Sequence, residues 1–541
     1  MATHTVTNQA PPRTDLDEFG TNVALVEAVV RFDAGAHVDD LHTTGCRVGA
    51  AAFQADAERA NVREPQLVTH DRWGNRVDEV VYDEAYHRVI AAAVADGAHT
   101  AASARPGPGA NVARATTFML YAQVEPGHAC PVSMTHAVAP VLAQHPEVGA
   151  DWMPRVHARA YEPELRAGKS SALFGMAMTE KQGGSDVRAG TTRATPAASG
   201  TARLTGHKWF CSAPMSDGFL VLAQAPGGLS CYLVPRVLPD GTRNPFVIQR
   251  LKDKLGNRAN ASSEIEFDGT VGVLVGDEGR GVRTIIDMVA GTRLDCVLGS
   301  TAGMRQAVAE AAWHVRHRAA FGRTLIDQPA MTAVIADLQL ETEAATITAL
   351  HLARAYDDDA DAAAIAFRRL ATPVAKYWIC KRGPAHAYEA LECLGGNGYT
   401  EAFPLARRYR EQPVMAVWEG SGNVIALDVL RALVREPETW EAFDHEVGRA
   451  RGASALLDAH LDRTRARVGA AVADPASAEV SARALVGALA LALEGSLVAR
   501  HSSAAVADAF IASRLGDDPA AGALFGALPS GVDVAAIAAR A

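Results

Sequence analysis

The chain is poor in features that would tie it to a metal, a disulfide framework or a nicotinamide cofactor. Its 541 residues hold seven cysteines, at Cys46, Cys130, Cys211, Cys231, Cys296, Cys380 and Cys393. They are odd in number, scattered and never in CxxC spacing. Such usage excludes a disulfide scaffold and suits reduced thiols in a cytoplasmic protein. His314 and His317 lie three apart on an expected helix, but Arg316 and Arg318 flank them and no third ligand follows, so no metal site is expected. No Gly-x-Gly-x-x-Gly or Walker sequence occurs, which argues against NAD and against nucleotide hydrolysis. No unbroken apolar run approaches the roughly 18 residues that cross a bilayer. The first residues, MATHTVTNQAPPRTD, lack the basic-then-apolar pattern of a secretion signal. A net charge of −10 argues against a surface that is basic throughout, although it cannot see a local basic groove. Internal repeats are absent too.

Alanine is abundant, and as the best helix former it favours a mostly helical protein. The length is too great for one core and implies three or four domains. Residues 1–171 read as a helical N-terminal domain, punctuated by Pro and Gly at Arg105–Gly109. The texture then changes. Over 172–281 short alternating runs such as TARLTG, KWFCS, FLVLAQ and SSEIEFDG are separated by Gly, Pro and Asp, the pattern of a small antiparallel β domain, barrel or sandwich. Helical periodicity returns over 282–440, with Pro373 expected to start or kink a helix. An Ala-rich helical block, 441–541, closes the chain.

Four segments carry candidate chemistry. In Met178–Val187 (MTEKQGGSDV), Gly183 and Gly184 admit a ligand close to the backbone, and Thr179 and Ser185 offer hydroxyl donors; a plain turn is the alternative. In Gly206–Ser212 (GHKWFCS), Trp209 and Phe210 can pack on a flat ring with Ser212 donating to its polar edge, or simply form a buried aromatic strand. In Arg318–Arg323 (RAAFGR), followed by Gln328, a guanidinium can grip a diphosphate, or Arg318 and Gly322 can cap a helix. Finally, Gly395 and Gly396 of LGGNGY would let a cofactor approach, and Glu419 of WEGSGN precedes a turn and a helix. There it can aim a carboxylate into a cavity or cap that helix.

Taken in this order around a β domain, the four segments resemble the acyl-CoA dehydrogenase family of flavoproteins. KLGNRANASSEIEFDG and VLVGDEGRGV extend the likeness. FMLYAQVEPGHACPVSMT, MTEKQGGSDV and WEGSGNVIALDVLR resemble its AidB group, which is linked with the bacterial response to DNA alkylation.

That resemblance implies a mainly α fold with a small β domain and an added C-terminal helical domain. It also implies FAD, an acyl-CoA thioester and a homodimer or a dimer of dimers, the latter a homotetramer. In such proteins FAD lies between β domain and bundle. Thr179 and Ser212 would lie near the isoalloxazine and Ser185 near the diphosphate, with Trp209 and Phe210 behind the ring. Arg318, Phe321, Gln328, Gly395 and Gly396 would reach FAD held mainly by another protomer, and Ser421 and Asn423 would contact the adenosine part. Glu419 matches the catalytic base, removing the α-proton as hydride leaves the β-carbon for flavin N5. Relatives that carry the base on the bundle helix would need Glu near Gly291–Leu294, where this chain has none. Arg293 is a substrate contact, or a structural residue paired with Asp295 or Asp287. Trp418, where tyrosine is frequent, suggests a pocket for a short or branched acyl group. Two departures are Cys211-Ser212, where a threonine is usual, and Glu392, where glutamine is frequent.

A second reading is a DNA-associated stress flavoprotein with little dehydrogenase activity. From Glu441 onward there are nine Arg, no Lys and twelve Asp or Glu, with one local basic stretch at Arg449, Arg451, Arg463, Arg465 and Arg467, where Asp458 and Asp462 intervene. An oxidase passing electrons to oxygen is a third.

Overall fold

The computed structural model describes residues 3–197, 200–357 and 361–541. By contacts the chain divides into two units. One comprises residues 52–106 and 124–295 and contains the sheet; the other comprises 1–51, 107–123 and 296–541 and is helical.

After helix Ala51–Val62 the sheet unit has a hairpin where the sequence suggested helix. Strands β1 (Gln66–His70) and β2 (Arg76–Val81) pair antiparallel, with Leu67 opposite Val80. Asp71 makes the turn: its Oδ1 accepts from the amides of Trp73 (2.8 Å) and Asn75 (2.9 Å). An Asx turn between two short alternating runs is a hairpin signal, and the helical surroundings obscure it.

The seven remaining strands of this unit are β3 (Phe174–Ala177), β4 (Arg193–Pro196), β5 (Thr201–Ser212), β6 (Gly218–Ala225), β7 (Gly228–Pro235), β8 (Val247–Leu251) and β9 (Ser262–Val275). Successive pairings β6–β7, β7–β9, β9–β5, β5–β4 and β4–β6 close a ring, with β3 added beside β6 and β8 beside β9. Closure removes the exposed edges that an open sheet would carry. Most pairs are antiparallel, as the alternation suggested; β3 and β4 run parallel to β6. Inward residues alternate along each strand and meet in one core of Leu204, Phe219, Val221, Val234, Phe246, Ile265 and Phe267. The hairpin packs on this barrel: Val80 joins its core, and Arg76 donates to the Ile248 carbonyl at 3.2 Å.

In the helical unit the long helices are Gly281–His317, whose first residues belong to the sheet unit, Pro329–Arg354 and Ala362–Glu392. Ala362–Glu392 runs through both Pro373 and Pro384. Pro373 neither starts nor ends it, because packing on both sides outweighs one missing amide donor. The C-terminal helices share a core with the bundle, with Val498, Val506, Phe510 and Ile537 packed against Val308, Ala311 and Leu338. The helix around Ala482–His501 is the one element among the described residues long and apolar enough to cross a bilayer, as part of Pro475–His501 with mean hydropathy 1.6. Some 72% of that window is buried in the fold. Arg483 and Glu494 interrupt it, so it does not appear as an unbroken apolar run. Burial pushes the Cys211, Cys231 and Cys393 thiols up to about 12, which leaves them inert packing groups.

Helix Pro329–Arg354 buries acids as well as apolar groups. Arg514 bonds Asp337 (2.5 Å) and Glu341 (3.0 Å), Arg382 also bonds Glu341 (2.8 Å), and Arg540 bonds Glu343 (2.9 Å). Arg514, Asp337 and Glu341 are almost wholly inaccessible. Of the five arginines in the basic stretch of the tail, Arg449 pairs with Glu446, Arg451 with Asp462, and Arg465 with Asp444 and Asp462.

Arg514→Met takes the buried Asp337 carboxylate's arginine and leaves Glu341 with Arg382 alone, and should lower stability to denaturant by about 3–5 kcal/mol, against less than about 0.5 for the surface change Arg463→Ala. Equal midpoints for the two variants would contradict the network. Glu494 gives a pH dependence. Burial, then the Glu341 charge, pushes its carboxyl well above the usual range, so the folded chain keeps a proton that the unfolded chain releases above about pH 4.5. Stability from this group therefore falls as pH rises, by up to ~1.4 kcal/mol per unit. Glu494→Gln should match wild type near pH 4 and exceed it increasingly toward pH 8 in urea titrations; a constant difference would contradict this.

Candidate functional site

On the barrel, the segment after β3 folds back as a tight turn in which Glu180 and Gly183 exchange backbone hydrogen bonds (3.2 and 3.1 Å). A Cβ on Gly184 would come within 2.6 Å of Thr179 Oγ1, so glycine is needed for the loop to lie against that side chain. The Trp209 amide donates to the Thr179 carbonyl at 2.8 Å, which brings Thr179, Gly184 and Trp209 together. Ser185 is exposed two residues beyond Gly183.

Beneath this corner sits an ion pair that sequence reading missed. Lys208 Nζ bonds Glu180 Oε1 (2.8 Å) and the Leu222 carbonyl (2.8 Å), and both charged side chains are about 1% accessible. The Glu180 carboxylate also accepts from the amides of Thr191 (2.6 Å) and Thr192 (3.0 Å). Burial alone would raise the Glu180 carboxyl, but the hydrogen bonds from Lys208 and the Thr191 amide outweigh it and hold it far below the usual range. Burial likewise lowers the Lys208 ammonium. The available signal was a lysine at an inward position of an alternating strand.

A bulge between Lys208 and Cys211 breaks the alternation of β5, so Trp209 and Phe210 need not face opposite sides. Both rings lie near one cation: Lys252 Nζ is 3.2 Å from the Trp209 centroid and 4.7 Å from that of Phe210, and is itself held by Glu264 at 2.6 Å. Neither aromatic belongs to the barrel core, and Phe210 is half exposed. Ser212 Oγ lies 3.3 Å from Ser262 Oγ on β9. Arg293 is half-buried on the long helix; Asp287, one partner considered for it, accepts from Gln144 (3.1 Å).

On the helical unit, the long helix ends at His317, and Gly322 does not cap it. Instead β10 (Ala319–Ala320) and β11 (Arg323–Thr324) form a two-residue hairpin whose tip is Phe321 (φ +53°) and Gly322 (φ +76°). Left-handed values at both tip positions fit a hairpin, yet a bulky aromatic rarely adopts one. The Phe321 ring is 98% exposed. The arm is braced at its base: Asn8 exchanges two hydrogen bonds with Ala319 (2.8 Å each), Arg318 donates to the Asn8 carbonyl (2.6 Å), and Gln328 to that of Ala320 (3.0 Å).

Gly395 is left-handed (φ +59°), and a Cβ on either Gly395 or Gly396 would meet nothing within 4 Å. Packing within the chain therefore gives no reason for glycine at 396, whereas at Gly398 a Cβ would lie 2.1 Å from the Leu391 carbonyl. An exposed glycine surface with room for an approaching group fits a bound cofactor.

Glu419 is half-buried with φ +57°, followed by Gly420 at +111°. The next helix, Gly422–Arg435, has Ser421 at its N-cap, two residues past Glu419, so Glu419 is not the capping residue. Ser421 and Asn423 are exposed at the first turn. Trp418 packs beside Cys296, Cys380 and Met415, with its indole Nε1 buried and without a hydrogen-bond partner among the described residues.

Against known proteins, residues 8–163 match the adaptive response protein AidB N-terminal domain, 175–270 the acyl-CoA dehydrogenase middle domain, and 279–434 the acyl-CoA dehydrogenase C-terminal domain. AidB of Escherichia coli (strain K12) is 45% identical over 480 residues, 88% of either chain. Acyl-CoA dehydrogenase family member 11 of Caenorhabditis elegans is 29% identical over 80% of this chain and 72% of its own. The crystal structure of C. elegans ACDH-11 in complex with C11-CoA superposes with a TM-score of 0.86 at 25% identity, covering 94% of this chain and 92% of that one. The chain belongs to the acyl-CoA dehydrogenase family of FAD-containing proteins, in its AidB group.

Proposed function

We propose that the chain is an FAD-dependent acyl-CoA dehydrogenase in which Glu419 takes the α-proton of an acyl thioester. The observation that carries this reading is the conformation of Glu419, a half-buried acid in the left-handed region two residues before the N-cap of the next helix. A non-glycine residue there is disfavoured by about 1–2 kcal/mol, which suits a side chain whose direction matters more than local stability. The C. elegans structure with C11-CoA supports an acyl-CoA as substrate class.

Thr179, Ser185, Phe210 and Ser212 would hold FAD from the barrel, with Trp209 behind Phe210. Arg318, Phe321, Gln328, Gly395 and Gly396 would hold FAD of a second protomer, with Ser421 and Asn423 on its adenosine part. A ring that is 98% exposed on a braced arm favours such a shared site, and hence a dimer or a dimer of dimers. FAD supplies the two-electron acceptor for the hydride that leaves the β-carbon. Glu419 receives the α-proton, and the product is the trans-2-enoyl thioester. Trp418 would bound the acyl pocket, the indole favouring short or branched groups, and Arg293 is a candidate substrate contact. Excluding water from Glu419 raises its basicity. Binding of duplex DNA by the tail has less behind it, since three of the five arginines in its basic stretch are paired with carboxylates.

Mixing the oxidised holoenzyme anaerobically with short, branched and C11 acyl-CoAs should bleach the flavin with at least one of them. Glu419→Gln should retain FAD and slow the bleaching by about 10²–10⁴-fold. No bleaching by any of the panel would reject the reading. Removing the Phe321 ring should weaken FAD retention by about tenfold or more on dilution, as loss of a buried interface aromatic does; Phe321→Ala protein that stays yellow at wild-type dilutions would exclude the cross-protomer contact.

A further inference from the structure

Lys376 lies on helix Ala362–Glu392, in the helical unit, and its side chain is almost wholly buried at 1% accessibility. Burying an ammonium is costly unless its donors are used. Two of them are used, and both point at one turn: Lys376 Nζ donates to the Trp418 carbonyl at 2.9 Å and to the Gly420 carbonyl at 2.7 Å. Those carbonyls flank Glu419. One cation therefore holds the peptide that enters Glu419 and the one that leaves Gly420, in a turn whose backbone values at Glu419 and Gly420 are disfavoured for most residues.

A neutral residue of similar volume would fill the same space without gripping the turn. Charge-assisted hydrogen bonds are stronger than neutral ones, and two from one atom hold both peptides against rotation. Lys381, one turn further along, lies against Gly422, where an added Cβ would stand 2.7 Å from its Nζ, and Cys380 is a buried thiol donating to the Cys296 carbonyl. Arg483 is engaged with the Tyr377 hydroxyl at 3.1 Å.

We propose that Lys376 is the positioning residue for Glu419: through the Trp418 and Gly420 carbonyls it sets the direction of the carboxylate, and its charge favours the ionised form. This rests on the reading of Glu419 as the base, and acts through that residue alone. At 1% accessibility Lys376 is a positioning residue rather than a catalytic one.

The test is a cycle of holoenzyme variants: Lys376→Met, Lys376→Arg, Glu419→Gln and the double variant Lys376→Met with Glu419→Gln. FAD content should be unchanged in all four. Single-turnover bleaching by the best acyl-CoA should slow by about 10–100-fold in Lys376→Met and by less than about tenfold in Lys376→Arg. In the Glu419→Gln background the Met substitution should alter the residual rate by less than about twofold, because the group it acts through is gone. The same fold-loss in both backgrounds, or none in either, overturns the inference. The Glu419 carboxyl can also be titrated by infrared difference against Glu419→Gln, whatever the turnover. Its midpoint should move up by about half a pH unit or more in Lys376→Met, since a nearby cation favours the charged form. If no acyl-CoA bleaches wild type but the midpoint moves, the proposed activity fails and the positioning stands; an unmoved midpoint overturns the positioning. Should the Met variant fail to fold, Lys376→Gln carries the same comparisons.

Discussion

The reading of Glu419 as a proton acceptor depends on one turn, in which the backbone holds a non-glycine residue in a conformation that most side chains avoid. Glu419 occupies the left-handed region, Gly420 continues the reversal, and the helix starts only at Gly422 with Ser421 at its cap. Moving the acid two residues along would make it a cap, stabilised by its own helix and poorly placed for chemistry.

The same principle, local disfavour held in place by surrounding structure, recurs at the other candidate positions. The turn at Glu180–Gly183 stands on a buried Glu180–Lys208 pair, and the Phe321 tip stands on an arm clamped by Asn8 and Gln328. The bundle is organised around buried acids as well: Asp337, Glu341 and Glu343 lie on one long helix and take arginines from Arg382 and from the C-terminal helices. Buried pairs of this kind contribute little net stability, yet breaking one is expensive, which gives the tail a defined seat on the bundle.

Legibility in the sequence followed the range of the interactions. The barrel strands were readable because alternation and Gly or Asp turns are local, and the glycine pair and WEGSGN stood out because glycine has a backbone meaning of its own. The hairpin at Gln66–Val81 was hidden by helical neighbours on both sides, and of the two readings of Pro373 the helix start is excluded, because tertiary packing carries the helix through it. RAAFGR read equally well as a helix cap; only the pairing of Ala320 with Arg323 shows an arm with its aromatic outward. Lys208 and the acids of Pro329–Arg354 could not be seen as paired, since their partners lie tens to hundreds of residues away. The glycine turns and the acid were thus legible as motifs, while the groups that hold them in place were not.

The most direct measurement of proton abstraction by Glu419 is exchange at the substrate α-carbon, followed by proton NMR of an acyl-CoA incubated with the holoenzyme in heavy water under anaerobic conditions. It isolates removal of the proton from the fate of the electrons. Wild type should wash deuterium into the α position, and Glu419→Gln should not, at equal FAD content. Exchange at an undiminished rate in the Gln variant would contradict the assignment of the base.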